Sequence, residues 1–223
     1  GGIVSLVGSG GKTTLMFALA DELRRMGQTV LTTTTTKIAR PNPDQSTHVV
    51  IEPSVVGLIK QIRKTKQEGI AHLTAGKSTT DDARKIAGYS PTDIDELSDL
   101  KEPRWILVEA DGSAQRPLKA PAYYEPVVPA RSVLVIGVVG LDGIGRKLDE
   151  AWVFRPEIFS SLTGLSLGEI VTTKSVARYI GHPHGLFKNT PQRAARSLFL
   201  AGAQDEVQRG NAEQLQHLLH ESW

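Results

Sequence analysis

Residues 3–14 read IVSLVGSGGKTT, and this stretch decides the fold. Ile3–Val7 is a short apolar run bounded by glycines, the pattern of a buried strand. Gly8-Ser9-Gly10-Gly11-Lys12 follows at once, and Thr13–Met26 reads as a segment of helical period. Leu15, Met16, Leu19, Ala20 and Leu23 fall on one face of that segment, with Asp21, Glu22, Arg24 and Arg25 mostly on the other. Gly27 supplies a C-terminal stop, and the β-branched run Thr29–Thr34 reads as the next strand. Strand, glycine turn, helix, strand is one βαβ unit, right-handed in nearly all cases.

A glycine turn between a strand and a helix is what phosphate binding requires. Glycines let the backbone curl so that successive N–H groups point inward at an anion. The helix N-terminus adds unpaired donors and a partial positive charge. Gly8, Ser9, Gly10 and Gly11 therefore read as the cradle. Lys12 would reach the β- and γ-phosphates, the Thr13 hydroxyl would ligate Mg²⁺, and Thr14 would cap the helix or contact the α-phosphate. The strict Walker spacing would place a glycine at Leu6, inside the strand, so the loop is a shorter GxxGKTT form that resembles the loop of the Mur ligases.

Outward from the loop, strand and helix signals alternate. His48–Ile51, Ile70–Thr74, Trp105–Glu109, Ser132–Val139 and Arg196–Ala201 read as strands. Ser54–Gln67, capped by Ser54, Thr92–Leu100, capped by Thr92, Arg155–Leu162, Ser175–Ile180 and Asp205–His220 read as helices. Ala39–Ser46 and the proline-rich Asp111–Pro129 read as loops. The expected fold is α/β, a three-layer, doubly wound, mostly parallel sheet of P-loop NTPase type. Residues 1–223 are expected to form a single domain of that type, with a small C-terminal subdomain from about 150 as a variant of this reading.

Open α/β sheets bind ligands at the carboxyl ends of their strands, so acids and cations there are site candidates. Trp105–Glu109 delivers Glu109 to such an edge, and Asp111 follows one residue beyond Ala110, as in a Walker B strand. Either acid would hold Mg²⁺ or orient an attacking water. Thr36 and Lys37 end the Thr32–Thr36 run in the same way, whereas Thr32 and Thr33 suit a strand simply as threonines. Lys119, locked between Pro117 and Pro121, reads either as a positioned charge or as the commoner solvated loop lysine, and Arg155 before Pro156 is similar. Asp142 either contacts the ligand or shapes its own turn. His182 and His184 are close in sequence but lack the further ligands of a zinc site. The position of a guanine-reading Asn-Lys-x-Asp motif holds Gly202-Ala203-Gln204-Asp205, which leaves the base unread.

Composition narrows the classes. A formal charge of +2, with no basic run and no aromatic–basic stripe, points away from nucleic acid and membrane surfaces as obligatory partners. With 0 cysteines, this chain makes no disulfide, thiolate metal site or thiol nucleophile. The longest apolar runs, around Val133–Val139, fall short of the roughly 20 residues that cross a bilayer, and no signal-like opening is present, so a cytoplasmic location is expected.

The stretches VGSGGKTT, LTTTTTKIARP, ILVEADGSAQRPLKAP, VIGVVGLDGIG and HPHGLFKNTP together resemble the YqeC family, whose members are named as selenium-dependent hydroxylase accessory or selenium cofactor biosynthesis proteins. The resemblance runs from about Ile3 to Pro191. It implies a role in maturing molybdenum hydroxylases that carry a labile selenium cofactor, with such a hydroxylase or its cofactor intermediate as partner. It also implies nucleotide-binding roles for Gly8, Gly10, Gly11, Lys12, Thr13, Thr14, Thr36, Lys37 and Lys119, and roles for Glu109 and Asp111 through the EADG segment.

Three activities compete at this point. The expected one is a nucleoside-triphosphate hydrolase that uses Mg²⁺ and ATP, with GTP left open, and with Lys12, Glu109 and Asp111 as its catalytic groups and Thr13, Glu109 and Asp111 as its metal ligands. A Mur-like ATP-dependent ligase or small-molecule kinase is the second, and a nucleotide-binding module without turnover is the third.

Overall fold

The computed structural model describes residues 1–100 and 102–220. In chain order the elements are β1 (Gly2–Gly8), α1 (Lys12–Arg25), β2 (Val30–Thr34), β3 (Lys37–Ala39), β4 (Val49–Ile51), α2 (Val55–Gln67), β5 (His72–Gly76) and β6 (Lys85–Ala87). There follow α3 (Pro91–Leu97), β7 (Trp105–Glu109), β8 (Leu118–Lys119), β9 (Ser132–Gly140), β10 (Val153–Phe154), α4 (Pro156–Thr163), α5 (Thr173–Gly181), β11 (Ala195–Ala201) and α6 (Glu206–His220).

Seven strands form one sheet in the order β11-β9-β1-β7-β2-β5-β4, and every pairing in it is parallel. Helices cover both faces, as an all-parallel sheet demands. The central strand shows why. Its residues point alternately to the two faces: Val4 and Leu6 join Met16, Phe17 and Ala20 of α1 in one core. Ile3 points the other way, into the core of Leu58 and Ile62 from α2 and Ile94 and Leu97 from α3. Val7 packs on that same second face with Phe159, Val176, Tyr179 and Leu215 of α4, α5 and α6. Ser5 is buried on the sheet, and its hydroxyl meets that of Ser132 at 2.8 Å. The segment beyond residue 150 supplies β11 to the main sheet and three helices to its second face. No helix among the described residues is long and apolar enough to cross a membrane.

The sheet and its helices follow the sequence reading closely, with Ser54 capping α2 through the Gly57 amide as expected. Three helix starts differ. α3 begins at Pro91 under a Ser90–Asp93 capping box, not at a Thr92 cap, and ends at Leu97. Proline is pre-set for a first helical position, which moves the cap one residue back. α5 begins two residues before Ser175 because Thr172 and Ser175 form a reciprocal box. α1 begins at Lys12 with Gly11 as its N-cap and no side-chain cap bond, so Thr14 is not its cap. Two small pairings break segments read as loop or left unassigned: the antiparallel hairpin β3–β6 and the parallel pair β8–β10.

Candidate functional site

The turn after β1 is built from left-handed backbone. Gly8, Gly10 and Gly11 have φ of 89°, 82° and 128°. A Cβ on Gly10 would lie 2.5 Å from Gly140 Cα, and one on Gly8 would lie 2.2 Å from the Val138 carbonyl oxygen. Other residues are excluded both by conformation and by the neighbouring strand β9. The turn leaves donors unspent. Gly8 N donates to Asp111 Oδ2 at 3.1 Å and Ser9 N to the Val138 carbonyl at 2.9 Å. Among the described residues, the amides of Gly10, Gly11, Lys12, Thr13 and Thr14 meet no protein acceptor, and Leu15 N is the next to be paired, to the Gly11 carbonyl. Five consecutive free amides at a helix start are donors of the kind that suits an anion.

Lys12 is buried beneath this turn. Its Nζ donates to the Gly8 carbonyl at 2.6 Å and stands 3.2 Å from Asp111 Oδ1. That oxygen accepts no hydrogen bond of acceptable geometry from the ammonium, so the contact is purely ionic. Asp111 is also 3.2 Å from Lys119 Nζ, whose side chain is fully buried. Lys119 donates to the Gly112 carbonyl at 2.6 Å and to Glu125 at 2.9 Å, and Glu125 takes a further bond from Arg155 at 2.6 Å. The buried charges thus alternate: Lys12, Asp111, Lys119, Glu125, Arg155. Burial works against the Glu125 charge, but the Arg155 and Lys119 contacts outweigh it and hold its carboxyl below the usual range.

Glu109 ends β7 beside β1, where Leu6 is its register partner. Its carboxylate accepts the Thr13 hydroxyl at 2.6 Å. Burial pushes the Glu109 carboxyl above the usual carboxylate range, and the pull of Lys12 and the Thr13 bond only partly offsets this. A hydroxyl and a carboxylate this close at the mouth of an anion cradle fit Mg²⁺, which is commonly held by one or two protein oxygens together with substrate phosphates. Among the described residues there is no group of three or more metal-ligating side chains, so a metal here would depend on the phosphates.

A cleft of about 400 Å³ opens over the loop. Gly10–Thr14 and Glu109 form one wall, Lys37 and Lys85 of the β3–β6 hairpin another, and Gly112–Arg116 the third. The residues singled out from sequence divide accordingly. Gly10, Gly11, Lys12, Thr13, Thr14, Lys37 and Glu109 line the cleft. Gly8, Ser9, Asp111 and Lys119 lie behind it: the Ser9 hydroxyl donates to the Pro117 carbonyl, and the other three form the buried support just described. Thr36 does not line the cleft; its carbonyl accepts the Gly88 amide and its own amide donates to Thr34 Oγ1, which roots the hairpin on β2. Thr32 and Thr33 are buried and bond to Thr74 Oγ1 and the Ala75 carbonyl.

Lys85 and Arg116 went unnoticed in the sequence. Nothing local marks Lys85, because it reaches the cleft through a hairpin pairing distant in sequence. Arg116 had a signal, its place in the same proline-bounded segment as Lys119. Two further candidates have structural duties. Asp142 accepts a hydrogen bond from Gln208. Asp205 accepts the Gln208 amide at 2.7 Å at the start of α6, so the surviving acid of the degraded base motif serves as a helix cap. The His182 and His184 rings lie 5.7 Å apart, and among the described residues no third ligand joins them.

A family model described as YqeC protein matches residues 4–157. The chain is 34% identical over 198 residues to "Uncharacterized protein YqeC" of Escherichia coli (strain K12), a match spanning 89% of this chain and 75% of that protein. No solved structure matches.

Proposed function

The chain belongs to the YqeC family, and from that membership and the geometry of its glycine turn we propose that it binds a nucleoside triphosphate with Mg²⁺ and promotes cleavage of the β–γ bond. The observation that carries this reading is the row of unpaired amides from Gly10 to Thr14, with the Lys12 ammonium buried beneath the same turn. Unpaired backbone donors are costly unless a ligand or solvent satisfies them, and a row of them is suited to one polyanion.

Each residue has a distinct task in this proposal. Lys12 exchanges the Gly8 carbonyl for phosphate oxygens and neutralises the charge that develops on them. Thr13 and Glu109 hold Mg²⁺, which screens the phosphates when bound. Asp111, reaching Gly8 N, Lys12 and Lys119 from behind, keeps the turn and its lysine in place. ATP is the proposed nucleotide, because the acid that would read guanine is engaged as a helix cap. GTP is the comparison the experiment must include.

The role in selenium-dependent molybdenum hydroxylase maturation comes from the family resemblance and belongs to the proposal as its biological setting. With no cysteine, the chain has no thiol to carry selenium, so a partner would carry it while this protein couples nucleotide binding or hydrolysis to cofactor processing or insertion.

The test is calorimetric titration of Mg·ATP and Mg·GTP into the purified chain and its Lys12→Ala variant, beside mass analysis of any copurifying nucleotide and Mg²⁺-dependent phosphate release. Saturable Mg·ATP binding that vanishes in the variant supports the reading. Binding without phosphate release reduces it to a nucleotide-binding module. Failure of either nucleotide to bind overturns it.

A further inference from the structure

Building on the nucleotide reading, we propose that the cleft contains a second subsite, formed by Lys37, Lys85 and Arg116, which holds a small carboxylate as acceptor of the γ-phosphoryl group.

The hairpin that carries the two lysines is a rigid platform. Ile38 pairs with Ile86, and both side chains are buried in the core under α1. Alternation then turns Lys37 and Lys85 to the opposite face, and both line the cleft. The hairpin is fixed to the sheet edge by Gly88 N and Tyr89 N, which donate to the carbonyls of Thr36 and Thr34. Across the cleft, the Arg116 guanidinium is held by the carbonyls of Glu150 and Ala114 at 2.7 and 2.9 Å. Its loop keeps two non-glycine residues in the left-handed region, Ala114 at φ 47° and Gln115 at φ 61°. Such backbone persists where the surrounding structure enforces it, and it clusters at ligand sites.

Charge selects the class of ligand. Besides Lys12, the cleft has three cationic side chains on walls other than the phosphate turn, and Glu109 is the one acid among its described lining residues. The acids that pair with the hairpin, Asp81 at 2.6 Å from Lys37 and Asp82 at 3.9 Å from Lys85, lie outside that lining. An anion brought beside a triphosphate is repelled unless local cations oppose the repulsion.

The absence of a spare base selects the nucleophile. Glu109 is engaged with Thr13, and no histidine or second carboxylate lines the cleft among the described residues. A hydroxyl acceptor needs its proton removed, whereas a carboxylate is already ionised at neutral pH. The carboxylate oxygen attacks the γ-phosphorus and forms a new P–O bond. The bond from the γ-phosphorus to the β–γ bridging oxygen breaks, and its electron pair leaves on the nucleoside diphosphate. The products are an acyl phosphate and the diphosphate, with no proton transfer required.

The experiment first saturates the full chain with Mg·ADP and then titrates succinate, glutamate and citrate by calorimetry. In parallel, Mg·ATP turnover is run with each acid and hydroxylamine, which traps an acyl phosphate as its hydroxamate. The expected result is that at least one acid binds only with Mg·ADP present and yields hydroxamate. Lys85→Gln or Arg116→Gln should then raise its half-saturating concentration about tenfold, the loss of one charged hydrogen bond. Mg·ADP affinity should stay within about twofold, because the substituted side chains are not part of the phosphate turn. No binding and no hydroxamate with any of the three acids overturns the proposal. An equal loss of Mg·ADP affinity in these variants also overturns it, by assigning the cations to the nucleotide's own phosphates. If Mg·ADP itself does not bind, the nucleotide reading fails before any acid is added.

Discussion

Two of the three cationic walls of the cleft, the glycine turn and the hairpin, are held by opposite means. Behind the phosphate turn, Lys12 and Lys119 are buried to 3% and 1% exposure, and each faces a carboxylate with similarly little access to solvent. On the hairpin, the Lys37 and Asp81 side chains are 49% and 62% exposed although they lie only 2.6 Å apart. The shorter contact is the weaker one, because water screens it and both side chains give up conformational freedom to form it. The buried contacts cannot be exchanged for water. Removing one partner there leaves a desolvated charge. One wall is thus a fixed scaffold for an anion site, and the other is a set of cations whose present partners are easily displaced by a ligand.

The largest expected effect tests the fixed wall. Lys119→Met removes the cation shared by the buried Asp111 and Glu125 and leaves each acid with one cation, Lys12 and Arg155 respectively. Breaking a buried pair in this way costs about 3–5 kcal/mol. The denaturant midpoint of the variant should fall accordingly with the slope unchanged, and a loss below about 1 kcal/mol would show that water reaches the cluster.

Lys12→Ala comes next, with its effect on binding. Hydrogen bonds to charged groups contribute about 1.5–3 kcal/mol each, so losing contacts to two phosphates should weaken Mg·ATP a hundredfold or more. Asp111 keeps Lys119 and the Gly8 amide, so the fold should survive. Far-ultraviolet circular dichroism of the variant beside its titration separates lost affinity from lost structure.

Glu109 stands beside Thr13 on the wall of the glycine turn, and its substitution separates function from stability. Glu109→Gln should lower Mg²⁺-dependent turnover by about 10², the scale of losing one positioned charge at the reacting phosphate. Stability without ligand should move the other way. Burial raises the folded-state pKa of Glu109, so the native protein binds a proton at pH values where the unfolded chain has lost it. The stability this contributes is complete below the ordinary glutamate pKa and is lost as pH rises through the elevated folded value. At pH 7 the glutamine variant, which carries no buried charge there, should melt no lower than the parent, with a flatter dependence on pH in the acidic range. A variant that melts well below the parent would mean that the Thr13 and Lys12 contacts outweigh burial.

The contrast between the walls also explains what the sequence could reveal. IVSLV, GSGGKTT and WILVE each state their structure locally: an apolar run, a glycine turn, and an acid at a strand end. Alternation would put Glu109 and Asp111 on one side if the strand ran through both; β7 ends at Glu109, and both acids still reach the loop. Depth was not legible. Whether an acid two residues past another faces the cleft or slips beneath Gly8 depends on how tightly β1 and β7 pair, and no local pattern carries that. The hairpin was illegible for a different reason. β3 and β6 are three residues each, too short for periodicity, and Lys37 meets Ala87 across most of the second βαβ crossover. Lys119 lies between these cases, since its flanking prolines left a positioned charge as one of two readings and only the fold could say that it was buried.

The smallest expected effect tests the exchangeable wall. Asp81→Asn removes the acid that now pairs with Lys37, on a surface where solvent screening leaves such pairs little net contribution. The melting temperature should therefore barely change. Asp81 itself is held below the usual carboxylate range chiefly by its hydrogen bond from Lys37, but it is exposed, so that depression carries no comparable stability. Anion binding should respond instead, because Lys37 would be released toward the cleft. Mg·ATP or the carboxylate acceptor should bind the variant slightly more tightly at low salt, and the gain should disappear near 1 M salt, where the Debye length falls to about 3 Å. If Asp81→Asn lowered stability as much as Lys119→Met, the hairpin cations would be structural, and the distinction between a fixed and an exchangeable wall would fail.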